Sequence, residues 1–159
     1  SSWIALRPVA SERPGLYPIT LVAISVAGLP ILFLGTGWVL EVTPWYAPRY
    51  VIPLAGMIFA NSMNSISIAA ERFSAEISAG HNRDDARRTA FGAALIPLIN
   101  SLMAVGLVPI PGIMTGQVLA GISPLIAARY QIMMMCMLFA SSGISTACFL
   151  YWSRPANST

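Results

Sequence analysis

The chain has 159 residues, of which 9% are charged and 56% apolar, with a formal net charge of +3 and a mean hydropathy of +0.70. A soluble globular domain carries roughly 25% charged residues, so this composition excludes a surface fully clothed for water, and lipid must solvate much of the chain. The cationic excess is small and consists only of arginine; it reads as membrane topology rather than as a nucleic-acid patch.

The charges are clustered. None falls within 14–40, 50–70, 89–128 or 130–153. About 20 apolar residues cross a hydrocarbon core of roughly 30 Å, so the first, second and fourth runs each fit one crossing and the third must be divided. The expected organisation is a polar N-terminal segment at 1–14 that lacks the order of a cleavable leader, a transmembrane domain at 15–152, and a tail at 153–159. The fold class is an all-α integral membrane protein with either four or five transmembrane helices and one Pro/Gly-broken re-entrant or interfacial segment.

In chain order, the first helix is expected over 16–40. Pro18 suits its first turn, and Gly28 and Pro30 predict a mid-span kink. Trp38, Trp45 and Tyr46 resemble an aromatic belt at one interface. After a short loop with Pro44 and Pro48, a second helix is expected over 50–70, where Asn61, Asn64 and Ser65 share one face.

Residues 71–88 form the one strongly charged segment, with Arg72, Arg83, Arg87 and Arg88 against Glu71, Glu76, Asp84 and Asp85. Gly80 should end one helical stretch. Asn82 can cap the next, with Asp84 and Asp85 in its first turn and Arg87 and Arg88 beyond, as the helix dipole favours. The segment therefore reads as two short water-exposed helical arms extending the second and third spans.

The third span starts near residue 89, contains Pro97 and Asn100, and ends before Pro109. The stretch 109–124, PIPGIMTGQVLAGISP, has Pro at 109, 111 and 124 and Gly at 112, 116 and 121, too broken for a straight crossing. Gly112, Gly116 and Ala120 repeat at intervals of four, a pattern for close helix packing, with Thr115 and Gln117 beside them. The last helix is expected from Tyr130 to about Trp152.

With four crossings, Arg7, Arg13, Arg72, Arg83, Arg87, Arg88 and Arg154 share one side, against Arg49 and Arg129. If 109–124 also crossed, Arg129 and Arg154 would exchange sides and the ratio would stay the same. Positive-inside bias puts the charged arm in the cytoplasm but leaves the last crossing open.

VIPLAGMIFANSMN (51–64), AALIPLINSLMAVGLVPIPGIMTGQVLAGISP (93–124) and ARYQIMMMCML (128–138), preceded by PWYAPRY, carry Pro, Gly, Asn and Gln in an order that resembles the FetB-like, YbbM-type permeases. That family is related to the plant aluminium-sensitivity permeases. The resemblance spans roughly 15–152 and corresponds to the C-terminal part of such a permease, the first family helices being absent. It implies a permease subunit of an ABC-type exporter, acting as a homodimer in the cell membrane and driven by a separate ATP-binding subunit that binds ATP. Iron is the implied cargo, with metal efflux the broader class. Four crossings follow, since family members have a cytoplasmic C-terminus.

The same resemblance assigns the arm residues Glu76, Gly80, Asp84, Asp85, Arg87 and Arg88 to coupling with the ATPase, although the longer family arm with its L-x-L-G-A sequence is not matched. Polar residues within hydrocarbon mark pathways, which makes Asn61, Asn64, Ser65, Asn100, Thr115 and Gln117 candidates for lining one. The competing reading is a truncated, non-transporting membrane protein that serves helix assembly alone.

No catalytic residue set, P-loop or cofactor motif is visible, and nucleic acid is not an expected partner. Met133, Met134, Met135 and Met137 point around a helix and read as packing. Cys136 and Cys148 read likewise, being too far apart on one helix to pair. His81 stands without neighbouring ligands and reads as a solvated residue rather than part of a metal site.

Overall fold

The computed structural model describes residues 13–35, 37, 48–104 and 112–153. They form five helices: α1 (Arg13–Leu34), α2 (Pro48–Ser78), α3 (Arg83–Ala104), α4 (Gly112–Leu119) and α5 (Pro124–Trp152). The expected aromatic belt at Trp38, Trp45 and Tyr46, the segment 1–12, and the tail beyond Ser153 lie outside the described residues.

One element boundary differs from the sequence-based expectation. The second span and its charged arm, expected as a helical extension of that span, form one uninterrupted helix of 31 residues, about 46 Å long at 1.5 Å per residue. Charge along 71–78 changes the solvent around a helix but removes none of its backbone hydrogen bonds. The last helix begins at Pro124 rather than Tyr130 and runs for 29 residues. Proline at the first helical position gives up an N–H that has no intrahelical partner there, so Pro124 starts the helix instead of breaking it. The exposed Arg129 is carried within its first turns.

Gly80 interrupts the chain as expected. It has φ +83, a left-handed conformation that costs an L-residue roughly 1–2 kcal/mol. The amides of Gly80 and His81 bond to the carbonyls of Ile77 and Glu76, closing α2 before α3 begins. Gly121, with φ +86, does the same between α4 and α5.

The long helices bury a seam assembled from small residues. Ala86, Ala90 and Ala94 of α3 lie four apart and are 0–1% exposed, so α3 presents a flat stripe. Ala23 and Ile24 of α1, Ile66, Ala69, Ala70 and Phe73 of α2, and Phe149 and Leu150 of α5 complete one contiguous core cluster. Close contact falls on the Phe59 ring at Gly28, where a Cβ would lie 2.6 Å from Cε1, so glycine lets α1 approach α2 without moving that ring. The methionines pack as expected where they are buried: Met134 and Met137 enter the interior, with Met137 lying over Gly35.

These contacts set helix direction. Ile24 shares the cluster of Phe149 and Leu150, whereas Gly35 lies beside Met137, so α1 runs antiparallel to α5. Gly28 sits beside Ile58 and Phe59, while Ala23 and Ile24 pack nearer the C-terminal half of α2; α1 is antiparallel to α2 as well. The tight turn at Gly80 makes α2 and α3 antiparallel. Helices α1 and α3 thus run one way and α2 and α5 the other.

The outside of this bundle is apolar. Leu21, Val22, Val26, Leu29 and Phe33 of α1, Ile96 and Met103 of α3, and Leu125 and Ile132 of α5 are all exposed, as lipid would have them and water would not. Among the described residues two segments, Val51–Ser78 and Pro124–Trp152, are long and apolar enough to cross a membrane, and Pro18–Leu34 is a shorter apolar helix.

Candidate functional site

Two places hold the polar groups named from the α2–α3 sequence, a cleft between these helices and the charged end of the same pair. The cleft, of about 80 Å³, is lined by Asn61, Asn64, Ser65 and Ile68 of α2 and by Ala94, Pro97, Leu98 and Ser101 of α3. Asn64, Ser65 and Pro97 lie some 15–17 residues from Gly80, hence about 22–26 Å from the turn.

Within the cleft the donors are partly committed. Asn61 donates from Nδ2 to the Met57 carbonyl at 2.9 Å, and Ser101 donates from Oγ to the Pro97 carbonyl at 2.9 Å. Pro97 has no N–H to offer the carbonyl one turn back. The lining is therefore uncharged and offers amide, hydroxyl and carbonyl oxygens.

The expected pathway residues divide. The structure brings Asn61, Asn64 and Ser65 to one cleft, but Asn100 is exposed on α3 and does not line it. Thr115 and Gln117 stand on α4, away from the cleft; Oε1 of Gln117 is buried without a hydrogen-bond partner. Among the described residues, a Cβ at Gly116 would meet nothing within 4 Å. Ala120 is exposed, and the side-chain position of Gly112 lies outside the described residues.

At the charged end, Glu76 is the least exposed carboxylate. It accepts from Arg72 at 2.6 Å, one helical turn away, and from Nδ1 of His81 at 2.8 Å. His81, expected to be merely solvated, thus ties the turn back onto α2. No set of three His, Cys, Asp or Glu residues suited to a metal ion occurs among the described residues.

Arg83 and Arg87 reach across to the C-terminal end of α5. Arg83 donates from Nη2 to the Ser153 carbonyl at 3.0 Å. Arg87 donates from Nε to the Leu150 carbonyl at 3.0 Å and from Nη2 to that of Tyr151 at 3.3 Å. The last carbonyls of a helix lack intrahelical donors and carry partial negative charge, so guanidinium groups satisfy both needs. Asp84, 76% exposed, lies 3.6 Å from Nη1 of Arg87.

The six arm residues named from the sequence therefore separate into two groups. Asp84, Asp85 and Arg88 are exposed, as is Gly80 at the turn, whereas Glu76 and Arg87 are engaged by neighbouring groups. Sequence reasoning missed Arg83 as a partner of α5, although its spacing of four from Arg87 places both on one helix face. It also missed the buried hydroxyls Ser62, Ser141, Ser142, Ser145 and Thr146, all 0% exposed. The run SSGIST at 141–146 carried that signal, small polar residues being suited to close helix contacts in lipid. Cys148 packs against the core cluster, but Cys136 is exposed, which corrects its reading as a packing residue.

An apolar-faced helical bundle with most of the charge of its described residues gathered at one helical hairpin defines an α-helical membrane protein. Residues 1–156 match the family described as "Uncharacterised protein family (UPF0014)", and the chain belongs to that family. It is 39% identical over 140 residues to a UPF0014 membrane protein of Synechocystis sp., covering 77% of this chain and 54% of that protein. It is 35% identical over 130 residues to the "Probable iron export permease protein FetB" of Escherichia coli, covering 71% and 50%. "Protein ALUMINUM SENSITIVE 3" of Arabidopsis thaliana is 32% identical over 150 residues, covering 80% and 54%. The chain spans about half the length of these curated relatives. No solved structure matches it significantly.

Proposed function

We propose that this chain supplies helices of the permease subunit of an ABC-type exporter, a multi-pass protein of the cell membrane that acts as a homodimer. ATP is hydrolysed by a separate ATP-binding subunit, and the cargo is a metal ion, iron first. The observation that carries this reading is the α2–α3 hairpin. One continuous helix joins the apolar bundle to an arm whose far end exposes Asp84, Asp85 and Arg88. A rigid helix of that kind can receive work from a soluble motor and deliver it among the spans.

Helices α1, α2, α3 and α5 are the crossings in this reading, and the arm is cytoplasmic by the arginine bias. The cleft at Asn61, Asn64 and Ser65 is the part of the pathway that this chain contributes. Uncharged oxygen donors can stand in for part of an ion's hydration shell without holding it too tightly to leave. The similarity to the probable iron export permease of Escherichia coli supports iron as the first cargo to test.

The test is cellular iron content with and without the complete permease and its ATP-binding subunit. Expression of both should lower iron after a metal load, and neither alone should do so. Unchanged iron would remove the cargo assignment, and failure of the two subunits to co-purify would remove the permease assignment.

A further inference from the structure

We infer that Arg87, supported by Arg83, is a positioning residue that ties the charged arm to the C-terminal end of α5, so that a displacement of the arm is passed to that helix. The inference rests on the permease reading above.

Three linked contacts carry it. Asp84 stands in solvent, open to a partner, and faces Nη1 of Arg87 at 3.6 Å. The Arg87 side chain, 28% exposed, turns inward and holds the carbonyls of Leu150 and Tyr151. Arg83, one turn earlier on the same face, holds the Ser153 carbonyl. A chain of polar contacts thus runs from a group that a partner can touch to the backbone of a helix more than 60 positions further along the sequence.

The planar guanidinium suits this task. Its several donors lie in a fixed fork, so one side chain grips two successive carbonyls and still meets a carboxylate. An ordinary helix cap needs none of this reach, since water can satisfy exposed C-terminal carbonyls. Just beneath the contact, Ala86 and Ala90 of α3 pack with Phe149 and Leu150 of α5. Arm and helix end therefore meet through both an apolar contact and directional hydrogen bonds, which resist sliding and rotation together.

Cys148 reports on the outcome, because it lies on α5 against the same cluster and is partly exposed. The experiment uses the complete permease with its ATP-binding subunit, Cys136 replaced by Ala, and N-ethylmaleimide as the probe of Cys148. In the otherwise unaltered pair, ATP should change the labelling rate several-fold. Arg87→Gln should still co-purify with the ATP-binding subunit and keep its melting temperature within a few degrees, yet lose most of that ATP-dependent change. Arg87→Lys, which restores charge and one donor, should recover part of it.

A full ATP-dependent change in Arg87→Gln would overturn the relay while leaving the permease reading standing. Equal loss in Arg87→Gln and Arg87→Lys, tracking a fall in melting temperature, would reduce the contact to a structural cap and overturn it too. Absence of any association in the unaltered pair would instead strike the permease reading, and the relay with it.

Discussion

Nε of Arg87 lies 3.0 Å from the carbonyl oxygen of Leu150, 63 positions later in the chain. The contact puts the beginning of α3 and the end of α5 at the same end of the bundle. Since α3 leaves that end and α5 returns to it, the end of α3 and the start of α5 lie toward the opposite end. Counting arginines could not decide this, because Arg129 and Arg154 exchange sides in the alternative without altering the ratio.

Sidedness follows directly. Single cysteines at Asn82 and Ser153 should react with an impermeant thiol reagent from one face of the membrane, and a cysteine at Ile122 from the other. The assay needs sealed cells and inverted vesicles, with Cys136 and Cys148 first replaced by Ala. Labelling of 82 and 153 from opposite faces would refute the antiparallel arrangement of α3 and α5.

Reversing the exposed charges of the arm, Asp84→Arg with Arg88→Glu, should abolish stimulation of the ATP-binding subunit, a loss of at least about tenfold. The one pair disturbed, Asp84 with Arg87, leaves Asp84 76% exposed, and exposed pairs contribute only about 0–1 kcal/mol to stability, so folding should survive. Hydrolysis measured with the complete permease checks the first claim and thermal melting in detergent the second. Undiminished stimulation would reject docking at this surface.

Packing at the α1–α2 crossing makes a sterically defined prediction. Gly28→Ala brings a methyl to 2.6 Å from the Phe59 ring, and should lower stability by about 1–3 kcal/mol, the usual cost of overpacking. Gly56→Ala, where an added Cβ meets nothing within 4 Å, is the matched control and should be neutral or gain up to about 1 kcal/mol from helix propensity. Melting curves of the two variants in one detergent would separate them; equal midpoints would show that the ring yields freely.

The cleft can be tested without disturbing the arm. Asn64 is exposed toward it, so Asn64→Leu should keep the fold and the stimulated hydrolysis of ATP. It should reduce export of the metal probe by about tenfold, as expected when an oxygen donor for a partly dehydrated ion becomes a methyl group. Transport assays in vesicles made with both subunits decide the matter. Normal transport in Asn64→Leu would place the pathway elsewhere.

Much of the fold was legible in the sequence because lipid simplifies the problem. In hydrocarbon every backbone polar group must be satisfied within its own segment, so long neutral runs have to become helices, and the left-handed requirement at Gly80 announces the turn. A boundary was less legible where proline was taken for a break: Pro124 occupies the start of α5, where the missing N–H has no intrahelical partner to lose. Of the candidate site, Asn61, Asn64 and Ser65 could be grouped from their spacing alone, since the face they share is a property of one helix.

What depended on other helices could not be grouped in that way. Asn100 looks equivalent to Asn61 in the sequence, yet only the rotation of α3 against α2 decides that Pro97 and Ser101 line the cleft and Asn100 does not. Arg87 and Arg88 are adjacent and chemically identical, and the 100° between them sends one to the end of α5 and the other into solvent. By itself the sequence determined solvent, helix content, the charged turn and the family, because these depend on composition and on contacts within a few residues. The tertiary structure alone decided which end of α5 meets the arm, which polar groups share a cleft and which arginine does the holding. Those outcomes are set by packing between segments that local chemistry does not relate.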